Sequence, residues 1–147
     1  MPELTLLIPA KKEAESLPIF LNELKEYNFK ILIVLEENDK ETINAINQRN
    51  NIEILYQKKI GYGSAIIEGI NNISTKYFCI INADGSMNPS ELNNMLKIIT
   101  ENNDIVFGSR YLKNAGSEDD DLITMVGNYI FSFLGKIFFR LKLNDIL

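Results

Sequence analysis

Apolar residues in this chain fall into short continuous runs separated by segments of helical periodicity. Continuous runs bounded by turn residues are typical of strands that are buried on both faces of a sheet. Between them, apolar side chains recur every three or four residues, which predicts amphipathic helices. The predicted strands are residues 4–8, 30–35, 52–56, 76–82 and 104–108. The predicted helices are residues 16–27, 39–50, a segment through 65–70, and 89–102.

Strict alternation of strand and helix indicates the α/β class, with a mostly parallel sheet covered on both faces. Two signals mark helix starts, namely Ser16 as a candidate N-cap and Asn88 followed by Pro89. The polar stretch 113–121 predicts a surface loop. Beyond it, residues 122–143 are rich in Phe, Ile and Leu, and they predict one long helix or two short ones.

Composition narrows the classes of function. The 147 residues suit one domain, and the formal net charge of −5 argues against general nucleic-acid binding. The chain has no histidine and a single cysteine, Cys79, so the sequence offers neither imidazole acid–base chemistry nor a disulfide framework. No signal peptide is visible, and the charge-free run 122–135 is shorter than the ~20 residues of a spanning helix. These features predict a cytoplasmic protein.

Residues 82–89 carry the clearest chemical signal. Asp84 comes directly after a buried strand and before a predicted helix start. Open α/β sheets bind their ligands at the carboxyl ends of their strands. Asp84 is therefore placed to hold a divalent cation against a phosphate, and an ordinary Asp-Gly turn is the alternative.

Several short segments occur in a characteristic order along the chain. They are residues 9–13, 36–42, 61–65, 82–89 and 108–111, followed by 127–128 and 144–145. This series resembles the family 2 glycosyltransferases with a GT-A fold, and most of all the dolichol-phosphate mannosyltransferase-like branch with polyprenyl-phosphate acceptors. The resemblance covers nearly the whole chain. It implies a Rossmann-like three-layer sandwich, with a nucleotide-sugar-binding core at residues 1–121 and an apolar helical extension of the same domain at 122–147.

The resemblance also implies a reaction. A sugar would pass from a nucleoside diphosphate sugar to an acceptor with inversion, assisted by Mg²⁺ or Mn²⁺. Asp84 matches the metal-binding residue of the Asp-x-Asp motif, and Asn82 replaces the first Asp. Arg110 matches the arginine of a Gly-Ser-Arg-Tyr motif, and a guanidinium suits bidentate contact with a phosphate. Asp84 and Arg110 are thus the predicted catalytic residues.

The family motifs suggest further contacts with substrate. Glu36 and Glu37 fill the acidic motif near the nucleobase, but a residue is missing there, so both remain candidates. Gly61 and Gly63 match a glycine turn, where the absent side chains permit close approach of the backbone. The predicted substrate-binding residues are Pro9, Glu13, Glu36, Glu37, Gly61, Gly63, Asn82 and Arg110.

Departures from the family pattern keep a second hypothesis open. Lys12 stands where the family usually has Asn, and Asn82 brings no charge to a metal. A degenerate, non-catalytic nucleotide-sugar-binding or assembly module is therefore the alternative. A nucleotidyltransferase is disfavoured because residues 9–13 contain no glycine. Asp145 is a weak candidate for the general base.

The apolar C-terminal segment has two interpretations. It could be a helix at the inner face of a membrane that presents a lipid-phosphate acceptor. It could instead pack against the sheet or against a second copy of the chain, which would make a homo-oligomer. The apolar contacts would be Phe131, Phe133, Phe138 and Phe139, and the basic residues near anionic headgroups would be Lys136, Arg140 and Lys142.

Overall fold

The computed structural model describes residues 3–47, 49–111, 121–141, 143 and 145. The strands are β1 (Leu4–Pro9), β2 (Lys30–Leu35), β3 (Ile52–Tyr56) and β4 (Tyr77–Ile80). The α-helices are α1 (Ser16–Glu23), α2 (Lys40–Ala45), α3 (Tyr62–Ile70), α4 (Leu92–Thr100) and α5 (Leu122–Phe139). Two compact units, Met1–Leu96 and Lys97–Leu147, are described separately. The predicted division after residue 121 stays a prediction.

The first unit is built on a parallel sheet with the strand order β3-β2-β1-β4. The two inner strands are β1, which pairs with β2 and β4, and β2, which pairs with β1 and β3. Every residue of β1 is buried, and so is every residue of β2 after Lys30. The prediction of an α/β fold with a parallel sheet is confirmed.

Side chains of the inner strands alternate between two apolar layers. Leu6 and Ile8 of β1 pack in the larger core with Phe20 of α1, whereas Leu7 packs with Ala65 of α3 on the opposite face. The sheet is therefore covered on both sides, as a three-layer sandwich requires. Burial of each large side chain contributes about 1.5–3 kcal/mol. These layers hold the ends of β1 and β2 in a rigid frame.

The predicted fifth strand is wrong. Residues 104–108 form no regular element, and the side chains of Ile105 and Phe107 are 68% and 58% exposed. A strand needs a hydrogen-bonded neighbour, and no other part of the described chain pairs with this segment. Apolar composition alone predicted the strand, although pairing decides whether one forms.

Helix limits differ from the predicted ones. Helix α1 ends at Glu23 and continues as a 3-10 turn, and α2 ends at Ala45 rather than at residue 50. Ser16 does not cap α1; its hydroxyl donates a hydrogen bond to the Glu13 carboxylate instead. The predicted cap at Asn88 is confirmed, because its side chain accepts from the Ser90 N–H.

The second unit contains one long helix, α5, which confirms an apolar helix at this end of the chain. Asp121 caps it by accepting from the Thr124 N–H at 2.7 Å, and Arg140 ends it in a left-handed conformation. Its 18 residues have a mean hydropathy of 1.5, long and apolar enough by length and composition to cross a membrane. Helix α5 is longer than the charge-free run 122–135 because it continues through Lys136 to Phe139. Most of the predicted loop 113–121 lies outside the described residues.

Helix α5 has an inverted distribution of polarity. Its buried residues are the polar or small Asn128, Ser132 and Gly135. Its large apolar side chains point outward, and only 17% of the helix is buried. The outward residues include all four phenylalanines that the sequence assigned to apolar contacts: Phe131, Phe133, Phe138 and Phe139 are 52%, 54%, 71% and 75% exposed. A soluble helix normally shows the opposite arrangement.

Candidate functional site

A cleft of about 450 Å³ opens at the edge of the first unit where the strands end. Parallel strands bring their carboxyl ends to one edge, so the residues that follow β1, β2, β3 and β4 lie along it. The lining residues are Pro9, Ala10, Lys11, Glu13, Glu36, Gln57, Gly61, Tyr62, Ala65, Asn82, Ala83 and Asp84. Six of the predicted site residues therefore share one cleft.

Asp84 lies after β4 with an exposed side chain on the wall of this cleft. Its Oδ1 accepts a hydrogen bond from the Ser86 N–H at 3.0 Å, and Gly85 takes a φ of 75°. The ordinary Asp-Gly turn, which was the alternative interpretation of this segment, is thus present. The second carboxylate oxygen, Oδ2, accepts no hydrogen bond from the described residues and can reach a ligand.

Asn82 faces Tyr62 across the cleft. The Tyr62 hydroxyl donates to Asn82 Oδ1 at 3.2 Å, and the tyrosine side chain is 58% exposed. An amide oxygen has two lone pairs, so Asn82 can accept a second hydrogen bond from a ligand. Sequence patterns did not identify Tyr62 as a site residue, although it lies between the two glycines of the predicted turn.

Glu36 and Glu37 occupy different environments. The Glu36 side chain is 16% exposed and lines the cleft, whereas Glu37 is exposed and does not line it. The ammonium of Lys11 lies 2.9 Å from Glu36 Oε1. The ion pair gives the buried Oε1 a charged partner, and no other described residue donates a hydrogen bond to that oxygen. Of the two acidic residues, Glu36 alone can meet a ligand in the cleft.

A network around Asp39 fixes the loop that carries Glu13. Asp39 Oδ2 accepts from the Lys12 N–H at 2.7 Å, and Thr42 Oγ1 accepts from the Glu13 N–H at 2.9 Å. Burial raises the pKa of Asp39, but hydrogen bonds from Lys12 and Thr42 outweigh it and bring the pKa below the usual 3.8. Sequence reasoning missed this role of Asp39, although an acid just before a helix is a recognisable cap signal.

Lys12 itself has a left-handed backbone, with a φ of 60°. Asn tolerates this conformation better than most residues, which agrees with the Asn that the family resemblance leads us to expect at this position. The Lys12 side chain is exposed, so its backbone N–H rather than its charge organises the loop.

The three glycines in and around α3 differ in backbone conformation and in the space that a side chain would have. Gly61 precedes α3 with a φ of 121°, which side chains rarely allow. Gly63 lies in α3, does not line the cleft, and a Cβ there would meet nothing within 4 Å. No neighbouring strand therefore approaches Gly63 closely in the described part of the chain, and a close approach of a ligand there stays a prediction. Helix and sheet approach each other closely at Gly69, where a Cβ would lie 2.3 Å from Leu7 Cδ1.

Arg110 and Asp145 form a tight pair within the second unit. The backbone N–H and Nε of Arg110 donate to Asp145 Oδ2 at 2.9 and 3.0 Å, and Nη2 donates to Oδ1 at 2.6 Å. These bonds hold the pKa of Asp145 below its usual 3.8, although burial acts in the opposite direction. A carboxylate stabilised as an anion is a poor general base, so the weak prediction of a base at Asp145 loses support.

A second groove of about 610 Å³ runs beside α5 in the same unit. Its wall combines polar groups with large apolar side chains. The lining residues are Tyr111, Met125, Val126, Asn128, Tyr129, Ser132, Phe133 and Lys136. The Ser132 hydroxyl is buried and has no hydrogen-bond partner among the residues that the structure describes.

The described residues contain no group of three His, Cys, Asp or Glu side chains that could hold a metal ion. A cation at Asp84 would need oxygen ligands from a substrate and from water. Mg²⁺ commonly binds in this way, through one or two carboxylates and the substrate's phosphates.

Comparison with known proteins places these features in a family. The sequence model of glycosyl transferase family 2 matches residues 5–146. Uncharacterized glycosyltransferases of Mycobacterium bovis and Mycobacterium tuberculosis are each 26% identical over 142 residues, which cover 97% of this chain and 63% of the relative. A dolichol-phosphate mannosyltransferase of Pyrococcus furiosus is 25% identical over 125 residues, which cover 80% of this chain and 36% of the relative. The chain thus spans less than two thirds of the length of these relatives.

Proposed function

Because this chain belongs to glycosyl transferase family 2, we propose that it transfers a sugar from a nucleoside diphosphate sugar to an acceptor, with inversion at the sugar carbon. The acceptor oxygen forms the new bond to that carbon while the bond to the diphosphate oxygen breaks. The nucleoside diphosphate leaves with the electron pair of the broken bond. Catalysis would therefore depend on stabilising the charge of the leaving diphosphate.

The observation that carries this proposal is the cleft at the carboxyl edge of the sheet. Glu36 follows β2 and Asp84 follows β4, and β1 lies between these two strands. Two interstrand spacings separate the strands by about 10 Å. That span suits an extended ligand with its nucleoside toward Glu36 and its diphosphate toward Asp84.

The oxygens near Asp84 fit a hard divalent cation, so we propose Mg²⁺ or Mn²⁺ as the cofactor. Asp84 Oδ2 would be the protein's charged ligand, and Asn82 Oδ1 could contribute a neutral oxygen. The cation would supply positive charge that stabilises the leaving diphosphate. Asn82 instead of a second carboxylate should weaken, rather than abolish, the affinity for metal.

Arg110 would contact a phosphate of donor or acceptor, and Asp145 would hold its guanidinium in place. Two of its nitrogens and its backbone N–H already bind Asp145, so the side chain has a fixed orientation. A pre-oriented guanidinium loses little conformational entropy when it binds a phosphate.

We propose a polyprenyl phosphate at a membrane surface as the acceptor. The outward apolar face of α5 and the mixed polar and apolar groove beside it would suit a lipid with a phosphate head. The helix contains no acidic residue, and Lys136 and Arg140 lie at its C-terminal end, as expected near anionic headgroups. A phosphate acceptor is largely ionised at neutral pH, so it needs no general base. The dolichol-phosphate mannosyltransferase among the relatives supports this choice of acceptor.

Co-sedimentation with phosphatidylglycerol vesicles tests the proposed location at the inner face of a cytoplasmic membrane. The protein should pellet with the vesicles, and Ile130→Glu on the exposed face of α5 should reduce this binding. Ile19→Glu alters an even more exposed isoleucine, which lies on α1, and should leave vesicle binding unchanged. Concentration-dependent dimerisation without vesicle binding would support the homo-oligomer instead.

Nucleotide binding tests the donor site and the rival hypothesis of a non-catalytic module together. We expect UDP or GDP to bind more tightly with Mn²⁺ than without, and Asp84→Ala to remove the effect of the metal. Asp104→Ala provides a matched control, because Asp104 is exposed and does not line the cleft. Metal-dependent binding without sugar transfer to a polyprenyl phosphate would favour the non-catalytic module. An absence of nucleotide binding would contradict the proposed transferase and would support the module in its assembly role.

A further inference from the structure

The loop between β3 and α3 carries an exposed isoleucine beside two lysines. Loop 58–60 consists of Lys58, Lys59 and Ile60, and all three residues are exposed, Ile60 to 75%. Among the described residues, no salt bridge involves either lysine ammonium. A single exposed apolar side chain is common on protein surfaces. An apolar side chain directly beside two basic ones favours contact with an anionic lipid surface.

The backbone of loop 58–60 is fixed by two neighbouring side chains. The Glu68 carboxylate of α3 accepts hydrogen bonds from the Lys58 and Lys59 N–H groups at 2.8 and 3.0 Å, and Gln57 Nε2 donates to the Lys59 carbonyl at 2.8 Å. The hydrogen bonds from Lys58 and Lys59 hold the pKa of Glu68 below its usual 4.5, so this carboxylate is ionised at neutral pH. Because these bonds involve only backbone atoms of loop 58–60, its side chains remain available to a partner.

Two further exposed side chains lie beside the loop on α3. Tyr62, in the first turn, is 58% exposed, and Ile67, which precedes the loop-binding Glu68, is 63% exposed. Tyrosine is enriched where proteins meet the membrane–water interface. Gly61, which follows loop 58–60, and Tyr62 both line the cleft. Loop 58–60 therefore lies at the rim of the cleft.

We infer that loop 58–60, together with Tyr62 and Ile67, docks on an anionic lipid surface and turns the mouth of the cleft toward it. The inference rests on the membrane location in the proposed function, and it adds a contact of the first unit that is separate from α5. The isoleucine would enter the headgroup region, and the two lysines would contact lipid phosphates. A second copy of the chain is less complementary, because a two-fold interface would bring the same lysines together.

Tryptophan fluorescence of the full chain tests the inference, because the sequence contains no tryptophan. With phosphatidylglycerol vesicles, the emission of Ile60→Trp should shift to shorter wavelength, and brominated lipids should quench it. Ile19→Trp is the matched control, since Ile19 is exposed on α1, which packs on the opposite face of the sheet from α3. Its emission should not change.

The outcomes separate this contact from that of α5. Unchanged emission of Ile60→Trp in protein that pellets with the vesicles would overturn the inference and leave the membrane contact of α5 standing. Failure to pellet would overturn the inference together with the proposed membrane location. A shift that depends on protein concentration without vesicles would assign the surface to a second copy, which would also overturn the inference.

The contribution of the lysines is tested by the apparent dissociation constant for the same vesicles. A lysine near an anionic surface contributes about fivefold in affinity, so Lys58→Gln/Lys59→Gln should weaken binding about tenfold or more. The fold of the loop should survive, because Glu68 binds backbone N–H groups. Lys25→Gln/Lys30→Gln removes the same charge from exposed residues at the opposite edge of the sheet, before and at the start of β2, and should have little effect. Equal weakening in both double variants, or none in Lys58→Gln/Lys59→Gln, would overturn the inference.

Discussion

Replacement of Gly69 by alanine should destabilise the first unit through the contact between α3 and the sheet. The new Cβ would lie 2.3 Å from Leu7 Cδ1 and 3.1 Å from both Leu7 Cδ2 and Val34 Cγ2. Leu7 and Val34 are completely buried on adjacent strands, so their methyl groups have little room to move. Helix α3 would have to shift away from the strands, or Leu7 would have to change its rotamer.

Two effects with opposite signs decide the magnitude. Overpacking of a buried site costs about 1–3 kcal/mol. Alanine favours a helix over glycine by up to about 1 kcal/mol, and the gain is smaller near a helix end such as this one. We therefore expect Gly69→Ala to lower the free energy of unfolding by about 1–2 kcal/mol.

Urea denaturation followed by circular dichroism measures this change, and the same helix provides a control. Gly63→Ala adds a Cβ with no atom within 4 Å, so the free energy of unfolding should stay the same or rise slightly. The steric explanation also predicts that Leu7→Val costs less in the Gly69→Ala protein than in the wild type. If Gly69→Ala were as stable as Gly63→Ala, the close packing of α3 on Leu7 would be refuted.

Two further predictions concern carboxylates in the loops. Asp145→Asn should lower the free energy of unfolding at pH 7 by about 1–3 kcal/mol, because it removes hydrogen bonds to a charged group. The pKa of folded Asp145 lies below its usual 3.8, so this stabilisation is complete above pH 3.8 and is lost as the pH falls through the folded pKa. The urea midpoints of the wild type and of Asp145→Asn should therefore converge in acid. A difference between the midpoints that stays constant with pH would contradict this prediction. Asp39→Ala should cost about 1–2 kcal/mol in the same assay, because it removes the cap of α2 and the acceptor of the Lys12 N–H. A change no larger than that of Asp104→Ala would show that the Asp39 network contributes little.

Local sequence pattern predicted the elements of the first unit well, because the apolar runs of β1 and β2 pair with each other in the inner part of the sheet. The same pattern failed at residues 104–108, where Ile105 and Phe107 remain exposed. Pairing depends on residues distant in sequence, which a local run of apolar side chains does not specify. Helix ends were also misplaced: α2 ends at Ala45, and the buried Ile46 that follows it has an extended backbone, which the periodicity did not predict.

The candidate site was predictable in part for the same reason. Residues after parallel strands must meet at one edge, so the sequence could assign Pro9, Glu36 and Asp84 to a common cleft. It could not separate Glu36 from Glu37, because that difference lies in the direction of each side chain after β2 ends. Tyr62 was missed because its hydrogen bond to Asn82 joins positions that are 20 residues apart in the sequence.

The most direct test of the account is a crystal structure of the full chain with UDP or GDP and Mn²⁺, with anomalous scattering used to locate the metal. We predict a manganese peak at coordination distance from an Asp84 carboxylate oxygen and from the diphosphate, with the base against Glu36. A nucleotide bound outside this cleft, or a manganese ion on the diphosphate without contact to Asp84, would contradict the proposed site.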